Sequence, residues 1–171
     1  IADCIRKYSP EHIIYDPVMV STSGRRKLMT DEAIEEIKKK LLPLVTLVTP
    51  NIDEAKVLTG KSIQNTQDML EAAKQLSDSY QTHILIKGGH LEGDQMCDLL
   101  YSPDHTYYIY EEKKIESKNL HGTGCTLSSA IASYLAKGYS MKDSICHAKE
   151  YITHAIIAGK NLNIGHGNGH L

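Results

Sequence analysis

The chain has 171 residues, 41% of them hydrophobic and 23% charged, with a net charge of −2. That length suits a single domain with a buried core, and the absence of any basic run argues against nucleic acid as a partner. No apolar stretch nears the roughly 20 residues that cross a bilayer, and no signal peptide is visible. The four cysteines, Cys4, Cys97, Cys125 and Cys146, are scattered without zinc-type pairing, which fits free thiols in a reducing cytoplasm.

The chain opens at Ile1, not Met, inside a helical run from Ala2 to Tyr8, as a piece of a longer protein would. His12 to Tyr15 is a short apolar run stopped by Asp16-Pro17, which predicts a strand with a loop at its carboxyl end. Thr30 is placed to cap a helix over Asp31 to Leu42, with Ile34, Ile37 and Leu41 on one face. Leu44 to Val48 reads as a second buried strand, ended by Thr49-Pro50. A short helix from Ile52 to Leu58 stops at Gly60, and another runs from Thr66 to Ser77. His83 to Lys87 is a third strand, followed by Gly88-Gly89. Gln95 to Tyr101 and Thr106 to Glu111 predict a β-hairpin around Ser102-Pro103-Asp104. Two long helices close the chain, Gly124 to Lys137 with Gly138 past its end, and Ser140 to Lys160 with a buried stripe of Ile145, Ala148, Ile152, Ala155 and Ile156.

Alternating strands and helices predict an α/β fold with a mostly parallel sheet covered by helices on both faces, as one domain over residues 1–171. Ligands in such folds bind at the carboxyl ends of the strands. Asp16, Thr49-Pro50-Asn51, Lys87-Gly88-Gly89 and the turn His121-Gly122-Thr123-Gly124-Cys125 all fall there. The turn is the most informative stretch. Its two glycines permit positive φ and close backbone approach, and the following helix aims unpaired N–H groups at the same place. A phosphate bound there would sit beside a thiol, Cys125, that the helix N-terminus acidifies.

Each candidate also has a plain structural reading. Asn51-Ile52-Asp53-Glu54 has capping-box spacing, and Asn51 with Glu54 at the sheet rim would equally hold a hydrated Mg²⁺ beside phosphates. Asp16 either ends its strand in a turn or serves the site. Lys87 to His90 is either a strand exit or a lysine and open backbone lining a nucleotide. Asp98, inside the hairpin, marks either a polar contact or a solvated edge, and the edge is the favoured reading. Cys125 is either a small buried hydrophobe or a functional thiol, and its place behind two glycines favours function. His147, His154 and the tail Gly165 to His170 read as a solvated surface and terminus rather than a metal site.

In this order, Asp16-Pro17-Val18-Met19, Thr49-Pro50-Asn51 with Glu54, Lys87-Gly88-Gly89-His90 and His121-Gly122-Thr123-Gly124-Cys125-Thr126-Leu127-Ser128-Ser129 closely resemble the hydroxymethylpyrimidine/phosphomethylpyrimidine kinases of thiamine biosynthesis, in the ribokinase-like superfamily. The resemblance covers essentially the whole chain. It implies a three-layer αβα fold and transfer of the ATP γ-phosphoryl group to an aminopyrimidine alcohol and then to its monophosphate. It also implies that roughly a further third of a chain, with early strands of the sheet and most pyrimidine-binding residues, precedes this one, and that the full-length enzyme is a homo-oligomer, a dimer. By the same resemblance Gly122, Thr123 and Gly124 form the anion hole and Cys125 is the base. Asn51 and Glu54 serve ATP and Mg²⁺. Lys87, Gly88, Gly89, His90 and Leu91, with Gly124, line ATP, and Asp16 is the strand-end carboxylate near the phosphates and metal.

Three other readings stay open. A pyridoxal or pyridoxine kinase of the same branch would share the cysteine turn. A cysteine hydrolase would pair His121 with Cys125 as base and nucleophile. A nucleotide-binding module would hold ATP without transferring from it.

Overall fold

A computed structural model describes residues 1–19, 28–88 and 95–162. The residues gather into two compact units, Ile1–Glu112 and Lys113–Leu171.

The first unit holds α1 (Ala2–Tyr8), β1 (Ile14–Tyr15), α2 (Asp31–Lys40), β2 (Leu47–Val48), α3 (Ile52–Thr59), α4 (Thr66–Tyr80), β3 (His83–Lys87), β4 (Gln95–Tyr101) and β5 (Tyr107–Lys113). The strands lie in the order β1-β2-β3-β4-β5. β1, β2 and β3 run parallel, with Ile14 opposite Leu47 and Leu47 opposite His83, and β4 returns antiparallel with Ile84 opposite Tyr101. The α/β fold, the parallel strands and the β4-β5 hairpin are as expected, and the antiparallel return of β4 makes the sheet mixed.

Two strands are shorter than the apolar runs predict. Pro43 has no N–H and a fixed φ, so Leu42–Leu44 wind into a 3-10 turn and β2 begins only at Leu47. Thr46 continues the pairing by other means. Its backbone N–H donates to the Ile13 carbonyl at 2.8 Å, and its hydroxyl accepts from the Ile13 amide at 3.0 Å.

The helices start where their caps stand. The Thr30 hydroxyl accepts from the Ala33 amide, and the Asn65 side chain accepts from the Asp68 amide at 2.9 Å. α4 runs three residues beyond the expected Ser77, because Gln81 rather than an earlier residue turns left-handed at φ 53°. One face of the sheet, with Val48, Ile84, Ile86 and Leu99, joins Ala55, Leu58, Met69, Ala72 and Leu76 in a single apolar core. Each large apolar side chain among these stabilises the fold by about 1.5–3 kcal/mol through burial. This core holds the carboxyl ends of β1, β2 and β3 in fixed register.

Asp98 corrects an expectation. It is not a solvated edge residue but is 5% exposed, and its Oδ1 accepts the Gly88 amide at 2.9 Å. Its side chain is buried within the fold, and the Gly88 amide is the partner that replaces water.

At the other end of β3, His83 Nδ1 meets the Ser102 hydroxyl at 3.0 Å. Burial pushes the His83 pKa below the ordinary histidine value, and Asp104 opposes that push only in part. Such a histidine is neutral when folded and free to protonate when unfolded. Its contribution to stability is therefore complete above about pH 6.5 and is lost as the pH falls below that. Denaturant titrations at pH 7.5 and 5.5 should show that loss, and His83→Gln should flatten it; an equal pH slope in both proteins would remove His83 as the cause.

The second unit contains α5 (Thr123–Ala136) and α6 (Met141–Gly159), packed on each other. Leu127, Ile131 and Leu135 are buried on α5, and Ile145, Ala148 and Ile152 on α6, while Ala155 and Ile156 of the expected stripe are only half-buried. Gly138 follows α5 at φ 87°, and Ser140 caps α6 by accepting from the Asp143 amide at 3.1 Å. His147 clusters with Tyr134 and Tyr139, its ring centroid 5.1 Å from the first and 4.9 Å, edge-on, from the second. The tail from Gly165 to His170 lies outside the described residues. Among the described residues no helix is long and apolar enough to cross a membrane.

Candidate active site

In the first unit the parallel strands deliver their carboxyl ends side by side. Asp16 follows β1, Thr49 follows β2 and Lys87 ends β3. The Lys87 ammonium lies 2.9 Å from Asp16 Oδ1, and the Thr49 hydroxyl donates to the same oxygen at 3.2 Å. The ion pair is largely enclosed, its side chains 19% and 14% exposed. The ladder continues one step further, because the Lys87 amide donates to the Pro50 carbonyl at 2.8 Å and Asn51 bridges to Lys87. Asn51 is thereby set at the rim, at the start of α3.

Asn51 and Glu54 form the predicted capping box in full. Asn51 Oδ1 accepts the Glu54 amide at 2.9 Å, and Glu54 Oε2 accepts the Asn51 amide at 2.8 Å. Glu54 is 3% exposed. Burial raises its pKa above the ordinary carboxylate value. The Asn51 amide, Lys87 and the Met19 amide pull the other way, while Asp16 adds to the rise. The structural reading of Glu54 thus stands, and the same geometry brings its charge into the field of Asp16 and Lys87.

The described residues hold no group of three or more His, Cys, Asp or Glu able to take a metal ion. Two carboxylates do suit Mg²⁺, which keeps several waters and takes one or two carboxylates together with substrate phosphates. The chemistry of this donor set fits such a hydrated ion. A buried hydroxyl beside it, that of Tyr15, has no hydrogen-bond partner among the described residues, and both Glu54 and Asp16 add to the rise that burial gives its pKa.

Gly88 is glycine for a steric reason. A Cβ there would stand 1.8 Å from the Cys97 carbonyl oxygen. Its amide is already given to Asp98, so what Gly88 offers is close passage of the strand rather than a free donor. Gly89, His90 and Leu91 lie outside the described residues.

In the second unit, the glycine turn opens α5 one residue earlier than expected, at Thr123. Only one of its two glycines needs a left-handed backbone. Gly122 has φ 92° with nothing within 4 Å of the place a Cβ would take, whereas Gly124 lies within the first helical turn. The Thr126 amide is the first to reach back to the N-cap, at 2.9 Å from the Gly122 carbonyl. Gly124 and Cys125 precede that bond, so their amides point out of the helix start, where an anion would be held. Thr123 instead turns back on the chain, its hydroxyl and amide donating to the Leu120 carbonyl at 3.0 and 3.4 Å.

Cys125 is exposed and free. Its sulfur is neither walled off nor turned among aliphatic side chains, as a purely structural cysteine would be. Among the described residues no hydrogen bond joins it to His121, so the base–nucleophile pair of a cysteine hydrolase is not formed.

Sequence reading placed Thr49 at the strand ends without a role, and it missed Tyr15 and the bond that Asp98 makes. Asp98 carries a usable signal, a carboxylate inside the apolar run Met96 to Tyr101, ten residues after the glycine it serves. The others are ordinary residues whose importance appears only through contacts.

The family model of phosphomethylpyrimidine kinase matches residues 1–171. The hydroxymethylpyrimidine/phosphomethylpyrimidine kinase of Rhizobium meliloti is 41% identical over 170 residues, which are 99% of this chain and 63% of that protein. The crystal structure of phosphomethylpyrimidine kinase from Clostridium difficile 630 is similar at a TM-score of 0.78 and 39% identity, covering 91% of this chain and 62% of the other. The Staphylococcus aureus pyridoxal kinase in complex with AMP-PCP is similar at a TM-score of 0.85 and 33% identity, covering 95% and 59%. The chain therefore spans about six-tenths of these relatives, and its α/β fold is the ribokinase-like fold they share. With the match running from the first residue to the last, the chain belongs to the phosphomethylpyrimidine kinase family.

Proposed function

We propose that this chain supplies the nucleotide-binding and catalytic part of a kinase. That kinase transfers the γ-phosphoryl group of ATP to the hydroxymethyl group of 4-amino-5-hydroxymethyl-2-methylpyrimidine, and then phosphorylates the monophosphate, in thiamine biosynthesis. The observation that carries this reading is the exposed Cys125 in the first turn of α5, directly behind left-handed Gly122, in a chain that matches the kinase family throughout.

The chemistry follows from the residues. A neutral alcohol is a poor nucleophile, and a group must accept its proton as oxygen bonds to phosphorus. Cys125, acting as its thiolate, takes that proton on Sγ as the alcohol oxygen bonds to the γ-phosphorus, the bond from that phosphorus to its bridging oxygen breaks, and ADP leaves. The amides of Gly124 and Cys125, in the turn that Gly122 and Thr123 open, neutralise charge on the phosphoryl oxygens, the main contribution a protein makes to such a transfer. Asn51, Lys87 and Gly88, with Gly89, His90 and Leu91, serve the nucleotide. Asp16 and Glu54 would hold a hydrated Mg²⁺, which supplies charge neutralisation on the phosphates.

The test is ATP-dependent phosphorylation of the pyrimidine alcohol, run beside pyridoxal, by this chain with the upstream part of its relatives' length restored. The likeness to Staphylococcus aureus pyridoxal kinase favours pyridoxal as a second reading, and preferential turnover of pyridoxal would install it. ATP binding without transfer to either alcohol would leave a nucleotide-binding module.

A second measurement addresses Glu54. Glu54→Gln should raise the Mg²⁺ concentration needed for half-maximal rate by roughly tenfold, as loss of a metal-shell carboxylate does. A lower Tm with normal Mg²⁺ dependence would confine Glu54 to capping α3.

A further inference from the structure

The segment that leads into the glycine turn is held by one buried side chain. Asn119 is 6% exposed, and its Nδ2 donates twice, to the Gly159 carbonyl at 2.7 Å and the Leu162 carbonyl at 2.8 Å. Both neighbours are carbonyl oxygens, so they determine which way the amide faces. The last carbonyls of a helix have no partner within it, and here a side chain 40 residues away in sequence takes the one at the end of α6. The Leu162 amide closes the same corner by donating to the Gly159 carbonyl at 3.0 Å.

The clasp sits immediately before the turn. The Asn119 amide donates to the Ser117 hydroxyl at 3.0 Å, and the next residue, Leu120, offers its carbonyl to the Thr123 hydroxyl. On the far side, the Thr126 amide and hydroxyl both donate to the Gly122 carbonyl, at 2.9 and 2.8 Å. The stretch Leu120 to Gly122 is therefore flanked by an anchor on each side, α6 through Asn119 and α5 through Thr126. Leu120 and His121 are themselves exposed, so burial of their side chains does not hold the stretch in place.

We propose that Asn119 is a positioning residue for phosphoryl transfer. By clasping the carboxyl end of α6 it sets where the glycine turn lies, and with it the aim of the Gly124 and Cys125 amides and of the Cys125 sulfur. The proposal rests on the kinase reading above and adds a residue that never touches substrate. It also gives residues 159–162 a role in the reaction. Displacements of about 1 Å at a reacting group are enough to cost on the order of a hundredfold in rate.

The test uses Asn119→Asp, which keeps the shape but loses both donors, together with two shortened chains. One ends after Lys160 and lacks the Leu162 carbonyl; the other ends after Ile164 and keeps both carbonyls. Asn119→Asp and the Lys160-ended chain should each lower kcat by about tenfold or more, with KM for ATP within about twofold. Combining them should add little, because they break one clasp. In the Lys160-ended chain the amide resonances of Gly122 and Gly124 should move, although the change is remote in sequence. They should stay in place in the Ile164-ended chain and in Ser140→Ala, which loosens α6 at its opposite end.

A merely structural role would lower Tm in all the weakened proteins and leave both the resonances and kcat alone. Unmoved Gly122 and Gly124 resonances in the Lys160-ended chain, or wild-type kcat in folded Asn119→Asp, would overturn the proposal. If the unaltered protein transfers no phosphoryl group, the kinase reading fails, and the resonances still decide the clasp on their own.

Discussion

Cys125→Ala should leave ATP affinity within about twofold of wild type and lower phosphoryl transfer by about a hundredfold or more, the usual worth of a positioned proton acceptor. The separation of the two effects comes from the structure. The side chain is exposed and unbridged, so its removal takes away neither core packing nor a buried partner. Surface substitutions of that kind change stability by no more than about 0.5 kcal/mol. The turn that would grip the phosphate is built from backbone, and Gly122 and Thr126 hold it without help from the sulfur. Binding by calorimetry and single-turnover transfer, measured on the same preparation, make the check. Full transfer by Cys125→Ala would remove the sulfur from the mechanism and leave the turn as a binding element.

Gly88→Ala should destabilise the first unit by about 3 kcal/mol or more, enough to unfold a marginal domain. The added Cβ would lie 1.8 Å from the Cys97 carbonyl oxygen, 3.0 Å from the carbon of that group and 3.0 Å from Met69 Cε. The methionine can swing aside, but the carbonyl belongs to β4 and is held by the pairing of β3 with β4. Moving either strand to make room would stretch the bond from the Gly88 amide to the buried Asp98 carboxylate, and a buried charge that loses a donor is costly. The damage would reach the site, since Lys87 is the preceding residue and its ion pair with Asp16 depends on where β3 ends. Thermal unfolding of Gly88→Ala against wild type gives the answer, and a Tm within about 2 °C would show that the strands separate freely at this point. Gly122 differs in kind. It has open space around it and is glycine for its φ of 92°.

Features governed by local rules were legible in the order of residues alone. Caps at Thr30, Asn51 and Ser140, the stops at Gly60 and Gly138 and the buried faces of the helices each depend on residues within one or two turns. The glycine turn and its cysteine were legible for the same reason, and so was the ordered set of motifs that carries family membership. Strand ends were less so, because Pro43 shortens β2 and a side chain, Thr46, replaces part of the ladder. The pairings made through space waited on the folded chain. Asp16 meets Lys87 across 71 residues, Asp98 serves Gly88 across a strand pair, and Asn119 reaches the end of α6. Asp98 shows why. Hydropathy marks a carboxylate within a strand as a candidate for water, and only the folded chain buries this one and gives it the Gly88 amide as a partner.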